Sequence, residues 1–229
     1  MDFRRQLRRW FGRYEIIDPR PIAAEAPYTF YLPSENELLA VAPGDLVKLT
    51  FRSVPESSEW DAERMWVIVT AADGSRLTGR LDNHPSDMPQ FKAGDRVSFD
   101  RGHIIDIDWS EDRVTPPPPA PTQHWYWDRC FVDDQILDGR FKVEFLYREE
   151  PDPPQEGDAY PDSGWRFRCD TRTLTDEEYD NPNFSYIAIG KVLNEDDSWL
   201  HLINAPVGSA FQRNWETGEF ASVAMPHSE

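Results

Sequence analysis

Residues 115–121 read Thr-Pro-Pro-Pro-Pro-Ala-Pro, one residue after Glu111-Asp112-Arg113. Proline lacks a backbone N–H and locks φ, so neither a helix nor a sheet ladder runs through such a stretch. It is extended and stiff. The run therefore divides the 229 residues into two pieces. Each is long enough to bury a core of its own. We read 113–122 as a linker between a domain at 21–112 and a domain at 123–229, with a distinct segment at 1–20.

In the first piece Val47, Leu49 and Phe51 alternate with Lys48, Thr50 and Arg52. Period two marks a half-buried strand. The runs 63–70 and 75–81 flank Asp73-Gly74, a hairpin signal. Lys92-Ala93-Gly94-Asp95 is a turn before a strand at 96–99. His103, Ile105, Ile107 and Trp109 alternate with Ile104, Asp106 and Asp108, which predicts a strand over 103–109. Ser34 and Glu37 have capping-box spacing, which predicts a short helix over 35–41. Short strands separated by turns imply a small antiparallel barrel or a strongly bent sheet.

The second piece opens with Trp125-Tyr126-Trp127, a strand into Phe131 and Val132. Phe141, Val143 and Phe145 alternate with Lys142, Glu144 and Leu146, a second strand. Residues 149–162 combine acids and prolines, which predicts an exposed loop. Asp162-Ser163-Gly164 is a tight turn. It leads into a strand where Trp165, Phe167 and Cys169 alternate with Arg166, Arg168 and Asp170. On the plain reading this is a turn that starts a core strand. On the functional reading Asp162 or Arg166 presents a binding edge. Thr175 to Glu178 begins an acidic helix. Tyr186 to Val192 reads as a strand, and Glu195-Asp196-Asp197-Ser198 caps a short helix through Ile203. The fold class is α+β, mostly antiparallel β: two small β-rich domains with short helices.

Phe3, Leu7, Trp10, Phe11 and Tyr14 recur at helical spacing among arginines, which predicts an N-terminal basic amphipathic helix. Three roles are open for it. It packs on the body, it mediates association, or residues 3–14 lie on an anionic membrane surface. The net charge is −18. Residues 1–20 hold six Arg against Asp2, Glu15 and Asp18, so they carry +3 and the remainder −21. That surface repels phosphates, which argues against nucleic acid, and it favours a basic protein partner.

Asp162-Ser163-Gly164-Trp165-Arg166-Phe167 is followed by Ile189-Gly190-Lys191-Val192-Leu193, Ser198-Trp199-Leu200, Ala205-Pro206-Val207-Gly208 and Gly218-Glu219-Phe220. This order resembles the bacterial domain of unknown function numbered twenty-one eighty-five, also classed as immunity protein thirty-three of polymorphic toxin systems. The resemblance covers about 123–224. It implies a toxin-neutralising role and carries no catalytic residues. In the first piece, Asn83 and Pro85 stand in Gly79-Arg80-Leu81-Asp82-Asn83-His84-Pro85, followed by Gly94-Asp95-Arg96-Val97 and by Ile105-Asp106-Ile107-Asp108-Trp109. These resemble the domain of unknown function numbered twenty-three fourteen, over about 42–109. That implies a fold unit and no activity.

Known catalytic signatures are missing: no HxH or HExxH, no Gly-x-Ser-x-Gly elbow, no phosphate loop. Cys130 and Cys169 form no CxxC, so neither a zinc site nor a disulfide framework is indicated. We expect no cofactor and no metal, and a binding protein in place of an enzyme. No apolar run approaches the roughly 18 residues of a membrane span. The charged N-terminus has no apolar stretch behind it, so the cytoplasm is the expected compartment. The expected partner is a basic toxin. Its expected contacts are Glu149, Glu150, Asp152, Glu156 and Asp158 in the long loop, with Glu195, Asp196 and Asp197. Asp162, Ser163, Gly164, Trp165, Arg166, Gly208, Asn83, Pro85, Gly94, Asp95, Asp108 and Trp109 are read as structural. The alternatives are a scaffold without a toxin, or a hydrolase or small-ligand protein using His103, Asp106, Asp108 and Arg166 between the two domains.

Overall fold

The computed structural model describes residues 8–56, 59–60, 62–154, 157, 159–176, 178 and 183–225. It resolves into two compact units. One comprises 30–123 together with the chain before Ala26; the other comprises 124–229 together with Ala26–Thr29. The boundary therefore differs from the linear division at the proline run, because four residues of the first piece fold with the second.

The first unit is an antiparallel sheet of six strands in the order β1-β2-β3-β4-β5, with β6 also on β2. The strands are β1 (Arg13–Ile16), β2 (Leu46–Val54), β3 (Glu63–Asp73), β4 (Arg76–Leu81), β5 (Arg96–Asp100) and β6 (Asp106–Asp108). Val47, Leu49 and Phe51 are buried as their alternation predicts, and Val67, Val69, Leu77, Leu81, Val97 and Phe99 join them in the core. Two short helices, α1 (Arg20–Glu25) and α2 (Glu35–Ala40), accompany it. Ser34 and Glu37 close the predicted capping box on α2.

Two expectations for this unit are corrected. The N-terminal helix does not extend to Tyr14: helix is described at 8–11, and 13–16 is a strand on β2. Tyr14 stacks on Phe91 at 4.5 Å and meets Phe51 at 5.6 Å, while its backbone is held extended by the ladder with β2. The expected faces are also exchanged. Arg8 is buried against Asp87 at 3.0 Å, whereas Trp10 and Phe11 are about 80% exposed. Phe3 and Leu7 lie outside the described residues. The expected strand 103–109 shrinks to β6. Asp100 caps a 3-10 turn at Arg101–His103, and His103 Nδ1 accepts from the Asp100 N–H at 3.2 Å.

The second unit is a mixed sheet in the order β10-β7-β9-β8-β11-β12. Its strands are β7 (Arg129–Asp133), β8 (Val143–Arg148), β9 (Asp162–Cys169), β10 (Phe184–Ala188), β11 (Ala210–Arg213) and β12 (Phe220–Ser222). β7 and β9 run parallel; the other described pairs are antiparallel. Helices α3 (Asp134–Leu137) and α4 (Ile189–Glu195) contribute Ile136, Ile189, Val192 and Leu193 to the core. Trp199 closes that core, 4.5 Å from Phe167 between ring centroids.

The expected strand 186–192 is thus half strand and half helix. Gly190 lets α4 approach closely: an added Cβ would stand 2.5 Å from the Tyr28 carbonyl oxygen. The expected helix through Ile203 is a 3-10 turn, Leu200–Leu202.

Candidate functional site

The alternation in β9 sends Trp165, Phe167 and Cys169 to the helix-covered core. Arg166 and Arg168 then point to the other face. A bulge between Val143 and Phe145 shifts the register of β8 against β9. A bulge turns the following side chains over, so Val143 and Leu146 enter the core while Phe145 and Tyr147 join the arginines. The plain alternation expected for 141–146 therefore fails at this point. Strand register extends the face across the sheet. Tyr186, Phe131, Arg166 and Tyr147 lie in one row, and Arg168, Phe145 and Gln212 in the next. Phe184 is 50% exposed and Tyr186 is 38% exposed. The face holds a hollow of about 290 Å³ around Phe131, Tyr147, Arg166 and Phe184. A second, of about 480 Å³, lies around Asp133, Phe145 and Leu174.

Arg166 anchors this face. Its two terminal nitrogens donate to the Asp162 carboxylate at 2.9 and 2.8 Å. Nε donates to Glu149 at 2.5 Å. Asp152 stands 3.5 Å from Nη2, and the guanidinium lies 4.8 Å from the Phe131 ring centroid. Burial alone would push the Asp162 carboxyl up. Hydrogen bonds and charge from Arg166, with the Asp152 and Gly164 amides, outweigh it and hold the carboxyl below its ordinary value. Burial likewise disfavours the charged guanidinium. Bonds to Asp162 and Glu149 reverse that and push its pKa up.

Gly164 makes the approach possible, with φ +79° and an added Cβ that would be 2.2 Å from the Glu149 carbonyl oxygen. Ser163 Oγ donates to the Arg129 carbonyl at 2.6 Å, tying β9 to β7. The motif residues Asp162 and Arg166 are thereby brought together with Glu149 and Asp152, which sequence reasoning had placed in a separate acidic cluster.

The remaining predicted residues are dispersed. Glu150 is exposed. Glu156 and Asp158 lie outside the described residues. Glu195 ends α4, where its backbone carbonyl accepts from Lys142. Asp196 is a correction. It is 5% exposed, accepts from Arg213 at 2.6 Å and from the Val143 N–H at 2.9 Å, and is a buried structural ion pair. Asp197 is exposed and accepts from the Tyr28 hydroxyl at 2.7 Å. That bond, then burial and the charge of Asp197, push the phenol up to about 12.

Gly208 turns the chain between 206 and 209, donating to the Arg148 carbonyl at 2.7 Å. In the first unit, Asn83 Oδ1 accepts from the Trp66 N–H at 2.5 Å, just before Pro85. Gly94 donates to the Leu81 carbonyl at 2.7 Å. Asp95 accepts from the Lys92 N–H at 3.0 Å. Asp108 is exposed on β6, and Arg113 lies 4.6 Å from the Trp109 ring centroid.

Of the alternative catalytic set, His103, Asp106 and Asp108 belong to the first unit and Arg166 to the second. Asp106 is paired with Lys48 at 3.0 Å. Among the described residues no group of three or more His, Cys, Asp or Glu could hold a metal ion. The Cys169 thiol is buried. That burial, with the charge and hydrogen bond of Asp133, pushes it up to about 12, which removes it as a nucleophile at neutral pH. No described helix is long and apolar enough to cross a membrane.

The open aromatic face was not identified from sequence. Its signal is large apolar residues on both phases of β8, Phe145 and Tyr147 on one and Leu146 on the other, a pattern that one buried face does not require. Comparison with known proteins finds no match among curated proteins or solved structures. Two family models do match, in the order that the motifs imply: residues 29–115 match "Uncharacterized protein conserved in bacteria (DUF2314)", and residues 130–224 match "Immunity protein Imm33 domain".

Proposed function

We propose that the chain is a non-enzymatic binding protein that neutralises a bacterial toxin by covering a basic surface on it. The match of residues 130–224 to the immunity-protein model carries this reading. The net charge of −18 supports a basic partner, since charge complementarity steers association and selects partners. The proposed contact surface is the open sheet face of the second unit. Phe131, Phe184 and Tyr186 supply aromatic area there, the residue class that dominates binding hot spots. Glu149, Glu150 and Asp152 supply negative charge at its edge.

The test is functional. Partners captured from the source bacterium at low salt are expressed in a susceptible host with and without this chain. We expect growth arrest by the partner alone, relieved by the chain. The Glu150→Lys variant, at an exposed carboxylate, should associate more slowly and with a shallower salt dependence, while folding normally. A captured partner that is harmless, or an arrest that the chain leaves unrelieved, would contradict the proposal.

A further inference from the structure

The larger hollow on the open face has one wall that the fold leaves incompletely satisfied. Asp133 occupies the N-cap position of α3, yet its side chain makes no capping hydrogen bond. It is turned toward β9 instead, where Oδ2 accepts from the Cys169 N–H at 2.8 Å. Oδ1 is buried without a hydrogen-bond partner. Arg168 Nε stands 3.5 Å away, close enough for charge attraction only. The residue is 3% exposed. Leaving a buried carboxylate oxygen without a hydrogen bond costs free energy even beside a cation, and native proteins seldom do it without a reason.

Around Asp133, Glu144 and Glu178 line the same hollow, so its lining holds three carboxylates and one guanidinium, that of Arg168, while Arg140 pairs with Glu178 from outside the lining. Gln135 and Gln212 add neutral amides, and Phe145 and Leu174 supply an apolar wall. The two glutamates are already held. Glu144 accepts from the Thr171 N–H at 2.8 Å, and Glu178 from Arg140 at 3.0 Å. They fix a negative potential without collapsing onto Asp133. The volume of about 480 Å³ is open to the surface on the face already described.

An apolar wall leading to a buried carboxylate with a free lone pair fits a long side chain with an aliphatic stem and a cationic head. We infer that this hollow receives an arginine side chain presented by the partner protein, its stem against Phe145 and Leu174 and its guanidinium on Asp133 Oδ1. This inference rests on the proposed function for the identity of the partner, but its chemistry can be tested without that partner.

The experiment titrates the full-length ¹⁵N-labelled chain with N-acetyl-arginine methylamide, and separately with N-acetyl-citrulline methylamide, its uncharged analogue. We expect saturable shifts of the Cys169 and Thr171 amides and of the Gln135 and Gln212 side chains with arginine, at a dissociation constant of about 1 mM. Citrulline should leave them unmoved. Asp133→Asn, which keeps an acceptor for the Cys169 N–H, should weaken binding by ~10-fold or more. Should that variant unfold, Gln212→Lys serves instead, because its ammonium would occupy the hollow and abolish the shifts.

The inference is overturned by no saturable shift with arginine, by equal shifts with citrulline, or by undiminished binding in Gln212→Lys. Failed titration with intact toxin neutralisation would remove the pocket and leave the proposed function standing. Successful titration without neutralisation would do the reverse.

Discussion

At the residue scale, the second unit depends on charges taken out of water in pairs. Arg166 with Asp162 and Arg213 with Asp196 are the clearest. Removing one partner of a buried pair strands the other, at a cost of roughly 3–5 kcal/mol. Asp162→Asn still leaves Arg166 with Glu149 and Asp152, so it is expected to lose less than that, about 1–3 kcal/mol at neutral pH, measured by urea denaturation. The sign of the pH dependence follows from the direction of the shift. The Asp162 carboxyl lies below its ordinary value in the folded chain. Its contribution is therefore present above the unfolded carboxyl value of about 3.9 and is lost as pH falls through the lower folded value. The native chain should weaken below about pH 4, and Asp162→Asn should weaken less steeply there. Asp162 and Arg166 stand four residues apart, a spacing that regular strand backbone keeps out of reach, so their meeting depends on the bend at Gly164, with φ +79°, and does not follow from the motif alone. Asp196 was not distinguishable from its neighbour Asp197, because sequence does not show which of two adjacent carboxylates faces Arg213.

At the element scale, β8 shows what a bulge decides. Leu146 is fully buried, whereas Phe145, next to it, lines the open face. Leu146→Ala should cost about 2–5 kcal/mol, the range for emptying a packed site. Phe145→Ala should cost about 1 kcal/mol or less while impairing partner binding. Equilibrium unfolding of the two variants side by side checks this. If Phe145→Ala is as damaging as Leu146→Ala, the register is wrong. The alternation at 47–52 and 165–169 was readable because those strands are regular and covered on one face. That at 141–146 was not, since the extra residue of a bulge leaves no mark in composition. Ile189 to Leu193 misled for a related reason. A short apolar run fits a buried strand or a buried helix equally, and only packing chooses.

At the scale of the whole molecule, the second unit is not continuous in sequence. Tyr28 N–H donates to Asn194 at 2.9 Å, its hydroxyl to Asp197 at 2.7 Å, and Asn194 to Thr29 Oγ1 at 2.7 Å. A fragment of residues 123–229 lacks all three bonds, each worth about 1 kcal/mol. It should unfold at lower urea than the same unit in the intact chain, by about 3 kcal/mol. A synthetic peptide spanning 20–32, added in excess, should restore part of the loss. Equal stability of fragment and intact unit would show that the segment is dispensable.

What could be known without coordinates was whatever depends on neighbours in the chain. That includes the regular strands and turns, the capping box, the acidic balance and the motif orders that the two family matches share. Those follow from local backbone preference and from counting charges. Tertiary structure alone decided that Arg8 is buried and Trp10 exposed, that Glu149 and Asp152 gather on Arg166, and that Asp196 turns inward. It also decided that Phe131, Tyr147 and Phe184 share one open face. Each of these is a meeting of residues far apart in the chain. Such meetings are set by strand register and by the desolvation of particular charges, which no local pattern encodes.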